Sequence, residues 1–192
     1  MPGFVISISN LEAIKMFKYQ YQQRCPERTD GALVCYGETI TDNVLTVSAI
    51  RHRLAYMVSI FPGTMWRDGG HEGRMESVRY FSGFDPCYGM NAYYAAVYLL
   101  TSDIDLYRRT MNCYTPTGIC FDRARRRDIS IQNYDLLGAA KTIYYGVPDL
   151  TLDDLANYEI IDTETFQLIA NALLIVRYGP EILQIVRRRS YA

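Results

Sequence analysis

The chain has 192 residues, 49% of them hydrophobic, and a formal net charge of −1. That apolar content excludes intrinsic disorder, and the near-neutral balance excludes whole-molecule steering toward nucleic acid, so only a local basic patch could serve that role. Five cysteines at wide spacing, an odd number with no Cys-x-x-Cys, argue against a secreted disulfide framework and for a reducing cytoplasmic setting.

The opening residues MPGFVISISNLEAIK lack the basic and apolar regions of a signal peptide. The longest apolar run, AYYAAVYLL at 92–100, is shorter than the ~20 residues that cross a bilayer. A soluble chain with no membrane partner is expected. FVISI reads as a short strand or extended arm. The first helix follows from SNLE, where Ser9 and Glu12 form a capping-box pattern, and Leu11, Ile14, Phe17 and Tyr21 repeat at helical spacing until Pro26. The turn-rich stretch 29–43 holds a single strand or one arm of a hairpin.

A second helix begins near Asn43, with Val47, Ile50, Leu54, Val58 and Phe61 on one face, and Pro62-Gly63 ends it. His52 falls opposite that face between Arg51 and Arg53, which predicts a solvated histidine. Residues 62–89 are dense in glycine and read as a loop, with a helical turn at MESVRYF. The remainder is strongly helical. MNAYYAAVYLL is apolar nearly all round and predicts a buried helix. SDIDLYRRTMNCY follows, with Ser102 as the expected cap, and FDRARRRD reads as a short charged helix or turn. SIQNYDLLGAAKTIYYG runs from a serine cap to a glycine stop, and Gly138, Ala139 and Ala140 permit close helix approach. LTLDDLANY is a short capped helix. DTETFQLIANALLIVRYGP has an Asp cap and an apolar face of Phe166, Ile169, Leu173 and Val176. EILQIVRRR closes the chain as a last helix.

The pattern predicts a mainly α fold, an irregular bundle of seven or eight helices with a glycine-rich loop region and at most a minor β element near the N-terminal half. It is expected as one domain over 1–192, with N-terminal helices and the irregular region in 1–89 and a compact helical core in 90–192.

Four segments in order, YYAAVYLLTSDIDLY, YDLLGAAKTIYYG, LTLDDL and IDTETFQLIANALLIVRYG, carry a resemblance. Its features are Asp105-Leu106-Tyr107 after an apolar helix, the alanine-rich helix ending in Tyr-Tyr-Gly, and the final NALLIVRYG. Together they resemble a small helical family encoded in Firmicutes genomes and their phages, over about residues 92–179. The resemblance implies a helical fold and a phage or mobile-element setting, and supplies no catalytic residues. The first ninety residues lie outside it.

The stretch WRDGGHEGR at 66–74 holds the single tryptophan and one of two histidines. Asp68, His71 and Glu72 are metal-ligand types, but two are adjacent, the loop is glycine-rich and no H-E-x-x-H is present, so no metal is expected there. Cys87, in FDPCYG, could serve as a nucleophile with His71 as its base and Glu72 beside it, a minority reading. Asp153, Asp154, Glu159, Asp162 and Glu164 sit near predicted helix starts, where capping accounts for them. Neither a phosphate-binding G-x-x-x-x-G-K-[ST] nor a G-x-S-x-G elbow occurs.

Two arginine clusters stand out: Arg123, Arg125, Arg126 and Arg127, and Arg187, Arg188 and Arg189. Guanidinium groups suit bidentate contact with phosphate or carboxylate. The expectation is a non-catalytic protein-interaction module without cofactor or metal. Its contact residues would be Trp66, Arg67 and His71 with the two clusters, and its partner a bacterial host or phage protein. Inhibition of a bacterial defence system, in the manner of an anti-CRISPR protein, is the concrete form that the resemblance implies. A nucleic-acid-binding module acting through Arg123–127 and 187–189 is the alternative, and a small Cys/His enzyme the second alternative. Self-association into a homo-oligomer is compatible with the sequence.

Overall fold

The computed structural model describes residues 48–83, 90–147 and 149–185, all within the unit Cys35–Ala192. The fold of these residues is mainly α-helical. The expected helix at 9–24 and both expected β segments in the N-terminal half lie outside the described residues.

Helix α1 (Ser48–Ser59) buries Ile50, Leu54 and Met57, with Phe61 just beyond it. Helix α2 (His71–Ser82) is longer than the helical turn read from MESVRYF: it begins at His71, inside the expected loop, and ends at Gly83 in a left-handed conformation. Helix α3 (Asn91–Thr101) is the centre of the fold. Tyr93 and every residue from Ala95 to Thr101 are buried in it, as its all-round apolar sequence predicts. Helix α4 (Ile104–Thr110) is capped by Asp103, whose carboxylate accepts from the backbone N–H groups of Asp105 and Leu106. The expected cap, Ser102, is instead buried in the last turn of α3, where its hydroxyl donates to the Leu99 carbonyl at 2.7 Å.

A 3-10 turn (Met111–Cys113) leads into a short hairpin of β1 (Tyr114–Thr115) and β2 (Gly118–Ile119), paired antiparallel with Tyr114 opposite Ile119. The β element of the described residues therefore lies in the second half of the chain. Gly118 has φ 126°, and a Cβ there would collide with the Tyr144 hydroxyl, so only glycine closes this turn against Tyr144. A second 3-10 turn (Phe121–Arg123) follows, then an extended loop to Ser130.

Helix α5 (Ile131–Tyr145) starts at the Ser130 cap and stops at left-handed Gly146. Helix α6 (Leu152–Ala156) carries a full capping box between Thr151 and Asp154. Helix α7 (Thr163–Tyr178) starts at the Asp162 cap. Its buried stripe is Thr165, Phe166, Leu168, Ile169, Ala172 and Ile175, rotated from the expected face, so Leu173 is 47% exposed. The described part of the last predicted helix is a 3-10 turn (Pro180–Gln184).

Helices α5 and α7 both pack on α3. Small side chains meet there: Ala95 and Ala96 on α3, Ala139 and Ala140 on α5, and Ala172 on α7 are all buried, which permits close helix approach. Around them Leu99, Leu100, Leu136 and Ile175 are wholly enclosed. Each such side chain contributes about 1.5–3 kcal/mol by leaving water.

Candidate functional site

The 66–74 stretch is a structural knot. Gly70 N–H donates to Asp68 Oδ1 at 2.7 Å, and His71 N–H to the Asp68 carbonyl at 3.2 Å, which starts α2. The His71 ring is fully buried. Its Nδ1 accepts from the Arg67 backbone N–H at 3.1 Å, which assigns the proton to Nε2, and Nε2 donates to the Tyr98 carbonyl at 2.8 Å. Burial, the largest influence, holds the imidazole down to about 4; Arg74 and Arg67 push the same way, against the Tyr98 hydrogen bond and Asp68. Trp66 meets the ring edge-on at 5.1 Å between centroids. The buried Tyr98 hydroxyl donates to the Met65 carbonyl and accepts from Asn171 Nδ2 at 3.1 Å.

Two arginines of the knot are also used internally. Arg74 donates from Nε to the Thr101 carbonyl at 2.6 Å and from Nη2 to the Ser102 carbonyl at 2.9 Å, which caps the negative end of α3, and also pairs with Asp68 at 2.8 Å. Arg67 grips Glu164 through Nε at 2.8 Å and Nη2 at 3.3 Å and lies 3.6 Å from Asp103. His71, expected as a contact residue, has no exposed surface and both ring nitrogens occupied, and it joins α2 to α3. Trp66 is half-buried against the core, and the Arg67 head is committed to α7 and to the α4 cap. The weighed acid–base reading meets the same obstacle, because His71 has no free nitrogen; Cys87 lies outside the described residues. Among the described residues no group of three His, Cys, Asp or Glu side chains is placed to hold a metal ion.

The first arginine cluster has the opposite character. Phe121 anchors the loop, 1% exposed, with Tyr144 at 5.8 Å and Tyr145 at 5.4 Å between ring centroids. Arg109 then clamps the backbone: Nη1 donates to the Arg127 carbonyl at 2.5 Å, Nη2 to the Asp128 carbonyl at 3.2 Å, and Nε pairs with Asp105 at 2.6 Å. The Arg125 N–H donates to the Arg109 carbonyl at 3.1 Å. The chain turns away at Asp128, with φ 54°. With its backbone so pinned, the loop leaves Arg123, Arg125, Arg126 and Arg127 exposed. Arg127 pairs with Asp128 at 3.5 Å, but both side chains are solvated and such a pair contributes little. Among the described residues no carboxylate pairs with Arg123, Arg125 or Arg126. Arg187, Arg188 and Arg189 lie outside the described residues.

Arg126 also borders a cavity of about 440 Å³ with Tyr134, Asp135, Lys141, Asp149 and Asp154. Lys141 and Asp149 pair at 2.7 Å, and Asp154 accepts from the Thr151 N–H and hydroxyl. Asp135 is raised to about 6, first by burial and then by the charges of Asp162 and Asp154. A carboxyl raised in the fold destabilises it above that value, and the penalty lifts as pH falls through it. We expect Asp135→Asn to raise stability at pH 8 by under about 1 kcal/mol, a small gain because solvent screens this half-buried group, and to change nothing at pH 3. Urea midpoints at the two pH values measure it.

Asp135 escaped sequence reasoning because its neighbours come from distant segments; only its place in α5, one helical turn after Ile131, was legible. Arg53 escaped it as well. It is 1% exposed and donates to the carbonyls of Leu155 at 2.7 Å, Asn157 at 3.3 Å, Ile161 at 2.6 Å and Asp162 at 2.9 Å. His52 beside it is exposed, as its position opposite the apolar face predicts. No family model, curated protein or solved structure matches the chain.

Proposed function

We propose that the chain is a non-catalytic protein-binding module whose contact face is the loop bearing Arg123, Arg125, Arg126 and Arg127, with Tyr134 at its edge. The observation that carries this reading is the use of Arg109 to hold the loop backbone while Arg123, Arg125, Arg126 and Arg127 stay exposed on it, Arg125 also donating from Nη2 to the Arg108 carbonyl at 3.3 Å. Arginine and tyrosine dominate binding hot spots, and Tyr134 is 59% exposed beside Arg126. A loop fixed in advance loses little freedom on association.

Nucleic acid is the second reading, supported by the same guanidinium groups. Asp135, Asp149 and Asp154 share the cavity with Arg126, and their charge opposes phosphate, which favours a partner of mixed charge. The partner in the concrete form of the proposal is a component of a bacterial defence system, following the phage-family resemblance. Among the described residues no helix is long and apolar enough to cross a membrane.

Affinity purification from a bacterial lysate, with and without nuclease, separates the two readings. A defined protein should remain after nuclease treatment, and its retention should fall by roughly threefold or less between 50 and 200 mM salt. Complete loss on nuclease treatment, or a fall of about 10³ or more over that range, would establish the nucleic-acid reading instead.

A further inference from the structure

The hairpin brings a core thiol, Cys113, next to a half-buried one, Cys120, and neither has a part in the arginine face. Tyr114 pairs with Ile119 and Thr115 with Gly118 across β1 and β2. One step outward stand Cys113 and Cys120, and the Cys120 N–H donates to the Cys113 carbonyl at 2.8 Å. Cys113 closes the 3-10 turn and Cys120 follows β2, so both stand just outside the ladder, joined by this one bond; hydrogen-bonded antiparallel pairs have Cα atoms about 5.5 Å apart. A disulfide requires about 4.4–6.8 Å. Both cysteines are free thiols; Cys113 is buried and Cys120 half-buried.

We propose that Cys113 and Cys120 are a redox site, closing a reversible cross-strand disulfide on reaction with a low-molecular-weight disulfide. Cys120 is the entry thiol because it alone of the two has substantial surface. Its thiolate attacks one sulfur of the small disulfide, forming a mixed disulfide and expelling one small thiolate. Cys113 then gives up its proton, and its sulfur attacks Cys120 Sγ, expelling the second small thiolate. The two cysteine protons end on the two released thiols, so the protein is oxidised by two electrons and the small disulfide reduced by two. Burial, with the Cys120 charge second, pushes the Cys113 thiol up to about 11, while Arg123 and Arg126 oppose the rise. The closing step is therefore the slow one and quickens with pH. The bond would tie the turn after α4 to the turn that leads into Arg123, fixing the root of the arginine loop.

Oxidised glutathione is the probe. The folded protein is incubated with it and then denatured in iodoacetamide, so that every thiol still free is blocked, and a tryptic digest is weighed. Both cysteines fall in one peptide, residues 110–123, because no Lys or Arg lies between Thr110 and Arg123. The expected product is that peptide unalkylated and ~2 Da lighter than its dithiol form, and dithiothreitol restores both alkylation sites. Cys113→Ser should trap Cys120 as a stable glutathione adduct, and Cys120→Ser should leave the buried Cys113 unmodified. The proposal is overturned if the folded wild type keeps both thiols alkylatable. It is equally overturned if Cys113 or Cys120 bonds instead to Cys25, Cys35 or Cys87, or if the bond forms only in denaturant.

Discussion

Arg53→Ala is expected to destabilise the fold by about 3–4 kcal/mol and to lower Tm by roughly 10 °C. The guanidinium reaches from α1 into the α6–α7 connection with several bonds at once. It donates to four backbone carbonyls between Leu155 and Asp162, and lies 4.3 Å from the ring centroids of both Tyr158 and Phe166. Burial holds its pKa below the ordinary arginine value, although the charges of Tyr158 and Asp162 oppose that fall. Alanine leaves the carbonyls without their donor and removes the plate between two rings. Each orphaned buried acceptor costs about 1–3 kcal/mol, and the costs do not add fully because water enters. Arg53→Lys keeps the charge but not the planar fan, so a loss of about 2 kcal/mol is expected. Urea denaturation measures both, and hydrogen exchange should rise first in α1 and α6. An alanine variant within ~0.5 kcal/mol of wild type would show that α1 docks by its apolar side chains alone.

The second large effect is acid sensitivity from His71. Its ordinary value is 6.5 and its folded value about 4. The neutral ring is what the fold holds, so the stabilisation is complete above 6.5, where the unfolded chain is neutral too. It is lost as pH falls from 6.5 toward 4, because the unfolded chain takes up a proton that the native ring refuses. The loss reaches about 3 kcal/mol by pH 4, by the equivalence of one unit to about 1.4 kcal/mol. Asp135 opposes it in the same window, since the folded state regains stability as that carboxyl protonates below about 6. The measurement therefore belongs in the Asp135→Asn background, comparing His71 with His71→Phe at several pH values. The phenylalanine variant should start about 2 kcal/mol lower at pH 7.5, with the Arg67 N–H left unpaired and the Tyr98 carbonyl keeping only the Thr101 hydroxyl, and should then show a flatter pH profile. Parallel profiles for the two proteins would contradict the buried neutral ring. Asp68 and Asp103 act at lower pH, because both carboxyls are held below their ordinary value. For Asp68 the Arg74 hydrogen bond is the main cause; for Asp103 the hydrogen bonds from Leu106 and Asn133 outweigh its burial.

The local grammar of this chain was legible in its sequence. Caps at Ser130, Thr151 and Asp162 and the buried helix at 91–101 follow from side-chain oxygens and apolar spacing that act over a few residues. What escaped reading depends on long-range partners. The glycine density of 62–89 pointed to a loop, yet α2 runs through Gly73 because His71 and Arg74 are fastened to Tyr98, Thr101 and Ser102. Arg53, flanked by Arg51 and His52, reads as part of a solvated polar face; its burial depends on carbonyls a hundred residues away. The exposed arginines were identifiable as a cluster. The role of Arg109 in presenting them was not, because nothing in sequence separates a guanidinium that holds a loop from one displayed on it.

The central claim, that the arginine loop is the contact face while the 66–74 knot serves the fold, is tested by one comparison. The chain with Arg123, Arg125, Arg126 and Arg127 all replaced by glutamine is used as bait beside the wild type, in nuclease-treated lysate of a bacterial host. The account predicts at least a tenfold loss of the captured protein with a stability change within about 0.5 kcal/mol, since these side chains are exposed. Equal capture by the two baits, at equal stability, would contradict it.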